Sequence, residues 1–342
     1  MTFALRCRPY TLELRDRFTL ANSSRTTTPT LLVELERDGV VGRGEAAMPP
    51  YLGETHESAQ AFLQRVDLAA LEDPFATERA LEAVDALSSG DAAAKAALDL
   101  ALHDWQGKHL GQPHWRRLGL DPEATPPTSF TLGIDDPDAL SARAGDAAVT
   151  FRALKLKLGS DRDRDMVAAV RRATDVPLRV DVNQGWQDKE HARREICWLA
   201  DHGVELVEQP MPADQLGDLA WLRERSPLPI YGDEGVQRLA DVACARGVYD
   251  GINVKLMKCT GLREAERMIR EARRLDLEVM LGCMTETSCA IAAAAQVASL
   301  CDVVDLDGAL LVANDPFESM PLLDGRVLPN DEPGLGVRPR AE

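Results

Sequence analysis

The chain has 342 residues, 45% hydrophobic and 28% charged, the composition of an ordinary globular protein. Its formal net charge is −17, from 56 acidic against 39 basic residues, and no basic stripe breaks the acidity, which argues against nucleic acid as a partner. The opening MTFALRCRPY lacks the apolar core of a signal peptide, and the small-residue run 290–295 is far too short to span a bilayer, so a cytoplasmic protein with no membrane partner is expected. Residues 1–60 alternate apolar and polar positions, and LLVELERDGVVGRGEA (31–46) reads as two strands joined at Asp38-Gly39. Residues 58–110 switch to helical periodicity, and AAAKAALDLALHDWQGKHLG (92–111) reads as a long helix stopped by glycine. Residues 1–120 therefore form an expected α+β domain, with DPEATPP (121–127) as the linker.

Beyond the linker, apolar runs at 129–134, 153–159, 178–183, 205–210, 230–234, 251–256, 277–282 and 302–308 alternate with helical segments. Alternation of this kind means a parallel sheet, and eight repeats mean closure into a (β/α)8 TIM-type barrel over 121–314. The Pro- and Gly-rich tail, 315–342, is expected to run back over the first domain. Seven cysteines, none in CxxC spacing, read as buried reduced thiols.

Charged residues stand at or near the ends of six of these apolar runs. Lys155 and Lys157 stand two apart in the second strand and share a face, so two ammonium groups inside the barrel would lower each other's pKa and yield a base. Asp181, Glu208 and Asp233 end the third, fourth and fifth strands. Three converging carboxylates repel unless a cation neutralises them, and all-oxygen ligation suits a hard ion, Mg2+, one per subunit. The plainer alternative is three separately salt-bridged acids. Lys255 ends the sixth strand, opposite the second in an eight-strand ring, although it could also be a surface lysine like its neighbour Lys258. With a metal-bound carboxylate between them, Lys157 and Lys255 could remove an α-proton from one face through an enediolate and return it to the other. Asn183, Gln209 and Glu234 are candidates for supporting the metal ligands.

The motifs KLK (155–157), DVNQGW (181–186), VEQP (207–210), DE (233–234) and NVKLMK (253–258), with GRGEA (42–46) and HDWQGKHLGQP (103–113), resemble the muconate-lactonizing subgroup of the enolase superfamily over nearly the whole chain. The resemblance implies Asp181, Glu208 and Asp233 as Mg2+ ligands and Lys157 and Lys255 as the acid/base pair. Lys155 would support the metal-bound carboxylate. It also implies an N-terminal domain capping the barrel mouth, with ANSSRTTTP (21–29) as the closing loop and MPPYLGET (48–55) nearby.

Asp305 and Asp307, in DLDG (305–308), share the eighth-strand face and need a cation. In the subgroup's dipeptide epimerases such an Asp-x-Asp pair takes the substrate ammonium, while protein cations are the alternative. Arg25, the one cation of the closing loop, either recognises a glutamate side chain or is a surface residue. Thr131, Cys283, Met284 and Glu286 are expected to line the pocket. The expectation is a dipeptide epimerase of the L-Ala-D/L-Glu type, serving cell-wall peptide recycling. An N-acylamino-acid racemase or o-succinylbenzoate synthase of the same subgroup is the nearer alternative, and a Schiff-base aldolase the more distant one. The substrate is a small molecule, and assembly into a homo-oligomer is left open.

Overall fold

The computed structural model describes residues 2–341. Three antiparallel strands, β1 (Ala4–Leu20), β2 (Ser23–Arg37) and β3 (Val40–Ala47), open the chain. Asp38 and Gly39 join β2 to β3 as a two-residue turn, both at positive φ (55° and 78°), the backbone such tight hairpins require. The segment 21–29, expected as a loop, is mostly strand: only Ala21 and Asn22 turn, and β2 pairs with β1 from Ser23 onward. β1 bulges between Glu13 and Phe18, and Leu14 in the bulge bridges Val312. A bulge bends its strand, and this one precedes the hairpin tip that reaches the barrel mouth. The tip is fastened there by Ile134 N donating to Thr19 O at 2.9 Å.

Helices α1 (His56–Gln64), α2 (Thr77–Asp85), α3 (Ala92–Leu110) and α4 (His114–Arg117) follow. Most of α3 is buried, because it packs against β2 and β3 on one side and the barrel on another. A Cβ on Gly44 of β3 would sit 1.9 Å from Ala97 O of this helix, so only glycine permits the approach. On the barrel side, Asp99 accepts from Leu262 N and Arg263 N, the unsatisfied first donors of a barrel helix.

The barrel strands are β4 (Ser129–Leu132), β5 (Ala153–Lys157), β6 (Leu178–Asp181), β7 (Val204–Glu208), β8 (Ile230–Gly232), β9 (Gly251–Lys255), β10 (Glu278–Gly282) and β11 (Val303–Asp305). All are parallel and in sequential order, and a Thr128–Val304 bridge closes the ring. Between them run α5 (Pro137–Ala148), α6 (Asp163–Ala173), α7 (Lys189–Ala200), α8 (Leu216–Arg223), α9 (Leu239–Ala245), α10 (Leu262–Arg274) and α11 (Ser288–Ala295). After β11 comes a 3-10 turn, Gly308–Leu311, and among the described residues no α-helix follows it. The remaining chain meets β1 through Ala313 N to Glu13 O and meets α3 and α4 through Leu335 N to Asp104 Oδ1 and a Pro113–Gly334 bridge. No helix among the described residues is long and apolar enough to cross a membrane.

Candidate active site

The strand register sets the site. Lys157, Asp181 and Glu208 are aligned on neighbouring strands β5, β6 and β7, and Lys255, Gly282 and Asp305 on β9, β10 and β11. The C-terminal halves of the strands and the residues just past them thus bring these charges to one mouth, where a cavity of about 580 Å3 opens beneath the β1–β2 hairpin tip. Backbone strain concentrates here: Asn183, Gln184 and Gln209, just past β6 and β7, all have positive φ.

Asp181, Glu208 and Asp233 converge, with one oxygen of each within 4.8 Å of the others, all three side chains buried. Burial pushes Glu208 up to about 7, and the neighbouring Asp181 adds to it. Burial also opposes ionisation of Asp181 and Asp233, but Lys157 and Lys155 outweigh it at the first, Lys255 and Lys258 at the second, and both stay below the usual carboxylate range. Glu208 Oε2 lies 2.7 Å from Lys155 Nζ, yet off the direction of a hydrogen bond, so it has no directed donor. Three hard oxygen donors, one of them without a directed donor and raised by burial and by Asp181, fit a divalent cation.

Lys157 Nζ donates to Asp181 Oδ2 at 2.6 Å and Lys255 Nζ to Asp233 Oδ2 at 2.8 Å. They stand on β5 and β9, four strands apart and therefore on opposite walls. Lys155 Nζ contacts Asp305 and Glu208 at 2.7 Å each and Asp181 at 3.4 Å. The two lysines of β5 were expected to depress one another. Instead Lys155 is raised well above the usual range, because three carboxylates overcome the effect of burial; Asp233 does the same for Lys255. The carboxylates beside both favour the ammonium form, the opposite of the surroundings that activate an imine-forming lysine.

The eighth-strand pair divides. Asp305 accepts from Lys155 Nζ at 2.7 Å and Ser129 Oγ at 2.9 Å, so a protein cation already satisfies it. Asp307 lies past the end of β11 and accepts from Thr131 N at 2.6 Å. Burial, then the charge of Asp305, pushes it up to about 7. Both face the cavity, as do Thr131, Cys283 and Met284. Cys283 Sγ accepts from Gly308 N, and its thiol is pushed well up by burial. Glu286 is a correction: it does not line the cavity. The turn after β10 folds it beneath Met284, whose N–H it accepts, and burial with nearby Glu45 raises it far above the carboxylate range.

Arg25 lines the cavity from β2, stacked over Phe18 at 5.3 Å. Its Nη2 reaches Thr285 Oγ1 at 3.3 Å, and its buried Nε has no partner. Gln209 ties the loops together, its Oε1 accepting from Asp233 N and Gly235 N. Asn183 Nδ2 donates to Glu234 Oε1, and burial, followed by Asp233, pushes Glu234 up to about 8.

Three residues were missed from the sequence. Asn253 donates to Glu208 Oε1 at 2.8 Å, and its place two before Lys255 on β9 was a readable signal. Tyr51 lines the mouth and donates to Met284 Sδ. Lys258, read as a surface residue, is buried and donates to Asp233 and to the carbonyls of Asp233, Val236 and Asn253. The turn after β9 brings it back beside Lys255. Replacing Lys258 with Met should destabilise the fold by about 3–5 kcal/mol, since it strands buried acceptors; an unchanged urea midpoint would reject this.

Two family descriptions match the chain: mandelate racemase / muconate lactonizing enzyme, N-terminal domain, over residues 5–119, and enolase C-terminal domain-like, over 139–342. The L-Ala-D/L-Glu epimerase of Bacteroides thetaiotaomicron is 53% identical over 329 residues, 96% of this chain and 86% of that protein. A substrate-liganded L-Ala-D/L-Glu epimerase from Bacillus subtilis superposes with TM-score 0.93 at 29% identity, covering 98% of each chain. The dipeptide epimerase of Enterococcus faecalis V583, solved with Mg and L-Leu-L-Tyr, gives 0.92 at 31% identity, covering 99% of this chain and 100% of that one.

Proposed function

The chain belongs to the mandelate racemase / muconate lactonizing enzyme family of enolase-like proteins, and from that membership we propose that it is a Mg2+-dependent dipeptide epimerase inverting the α-carbon of the C-terminal residue. The observation that carries this reading is that Lys157 and Lys255 stand on opposite walls of a cavity that Asp233 also lines, with Asp181 and Glu208 buried and converging on Asp233. When bound there, one divalent cation per subunit would neutralise the three acids, ease proton loss from the lysines beside them and acidify the α-proton of a substrate carboxylate. One lysine removes that proton and the other delivers a proton to the opposite face. Lys155 holds the charge that develops on the substrate carboxylate.

Asp307 supports a dipeptide rather than an N-acyl substrate. It is a buried carboxylate at the cavity wall with only neutral donors beside it, suited to a substrate ammonium. Asp305 is already engaged with Lys155 and plays a lesser part in that contact. Arg25, which lines the cavity with its buried Nε unpartnered, suits the side-chain carboxylate of glutamate, which points to L-Ala-D/L-Glu as the substrate. Such an activity fits recycling of cell-wall peptides in the cytoplasm.

Incubation with L-Ala-L-Glu and Mg2+ in D2O, followed by proton NMR, tests the reading. Loss of the glutamate α-proton signal and appearance of the D-epimer are expected, both abolished by EDTA. Absence of metal-dependent exchange in every dipeptide tried would sink it. The pH dependence follows from Asp307, which must be ionised to bind an ammonium. With its carboxyl raised to about 7, kcat/KM should fall on acidification below that value, by about tenfold per pH unit. Asp307→Asn should give a low rate with that acid limb removed, and a limb of unchanged size would exclude Asp307 as its origin.

A further inference from the structure

One buried cation beneath the site takes no part in the chemistry above. Arg179 lies two residues before Asp181 on β6, aligned with Lys155 of β5, and is nine-tenths buried. Its nearest carboxylate, Glu205, is 3.9 Å away, so it is not there to complete a close ion pair. Its guanidinium reaches instead to the seam between β4 and β11, where the barrel closes.

Among the described residues that seam has one backbone bridge, Thr128–Val304, in place of a ladder. Side chains hold the rest. Leu306 N donates to Thr128 Oγ1 at 2.8 Å. Arg179 Nη1 donates to Val304 O at 3.0 Å and to Ser129 Oγ at 3.2 Å. Ser129 Oγ stands 2.9 Å from Asp305 Oδ1 and 3.4 Å from Val304 O. With Nη1 on both the carbonyl and a serine lone pair, the hydroxyl hydrogen is directed to Asp305 Oδ1. Asp305 Oδ2 is then left for Lys155 at 2.7 Å. Four strands are joined in series, from β6 through β4 and β11 to β5.

We propose that Arg179 is a positioning residue, acting through Ser129 and Asp305 to fix where the Lys155 ammonium stands among the metal-ligating carboxylates. This rests on the reading of Lys155 as the group that meets the substrate carboxylate. The guanidinium touches no reacting atom. It fixes the direction of one hydroxyl, and that direction fixes one carboxylate, whose free oxygen sets the lysine.

The test compares Arg179→Met, Ser129→Ala, their double variant and Ser129→Thr in exchange of L-Ala-L-Glu at saturating Mg2+, alongside crystal structures of the first two. Each single loss should lower kcat about 10- to 100-fold with KM little changed. The double variant should be no slower than Arg179→Met, because both act through one path. Ser129→Thr, which keeps the hydroxyl, should retain most activity. In the crystals the Lys155–Asp305 contact should open. Multiplying losses, an unchanged kcat, or Lys155 still in contact with Asp305 would overturn the proposal. If Arg179→Met fails to fold, Ser129→Ala carries both measurements. A wild-type protein that exchanges no dipeptide defeats the functional reading alone, and the crystal structures still decide the positioning role.

Discussion

Replacing Lys157 or Lys255 with Ala should abolish epimerisation, by about 100- to 10,000-fold, while leaving half of the exchange reaction alive. The two ammonium groups stand on opposite walls, each hydrogen-bonded to a different metal-site carboxylate. An α-proton pointing to one wall is within reach of one lysine only. A variant lacking Lys255 can still remove the proton that faces Lys157 and return deuterium to the same face. It should therefore exchange one epimer of the dipeptide in D2O without inverting it, and leave the other epimer inert. The variant lacking Lys157 should show the reverse preference. Proton NMR with each pure epimer reads this directly. Exchange of the same epimer by both variants would mean that the lysines do not act on opposite faces. Lys155→Ala should differ from both, losing exchange with either epimer, because its contacts are shared among three carboxylates rather than assigned to one wall.

Arg25→Met should cost about 100-fold in kcat/KM with L-Ala-L-Glu, while a dipeptide with an uncharged C-terminal side chain is turned over as well as before or better. The guanidinium is largely buried at the cavity edge, and burial lowers its pKa, so it stands desolvated and short of partners. Its contacts are a long hydrogen bond to Thr285 and the ring of Phe18, neither of which supplies negative charge. A substrate carboxylate would. Methionine keeps the apolar stem against Phe18 and removes only the charge and the donors. Kinetics with the two dipeptides side by side distinguish the outcomes: an equal loss with both would make Arg25 a packing residue, not a selector.

Much of this site was readable before any coordinates, for a physical reason. A covered parallel strand is apolar almost throughout, so a charge at its end stands out. The three acids could be located that way, alternation of apolar runs with helical segments located the eight strands, and their order around the ring gave the opposition of Lys157 and Lys255. What did not transfer was pairing. Alternation puts Asp305 and Asp307 on one face only while the strand lasts, and β11 ends at Asp305. The two therefore acquired different partners. Glu286 and Lys258 lie in turns, where no period predicts direction; one was expected in the cavity and is beneath it, the other was expected in solvent and is on Asp233. The depression expected of Lys155 failed because the acids nearby were not counted into its environment. The Ser- and Thr-rich stretch 21–29 has a loop composition, yet the register of β1 and β2 keeps it extended.

That hairpin separates two kinds of inheritance. Arg25, Phe18, Leu20 and Ser23 reach the cavity from a hairpin of the N-terminal sheet, whereas the lysines and carboxylates are fixed by the barrel ladders. Substitutions at the tip can change which side chain is welcomed without disturbing a single proton-transfer distance. Selectivity in this architecture can drift under selection while the reaction stands still, and a survey of tip variants against a dipeptide library would map how far.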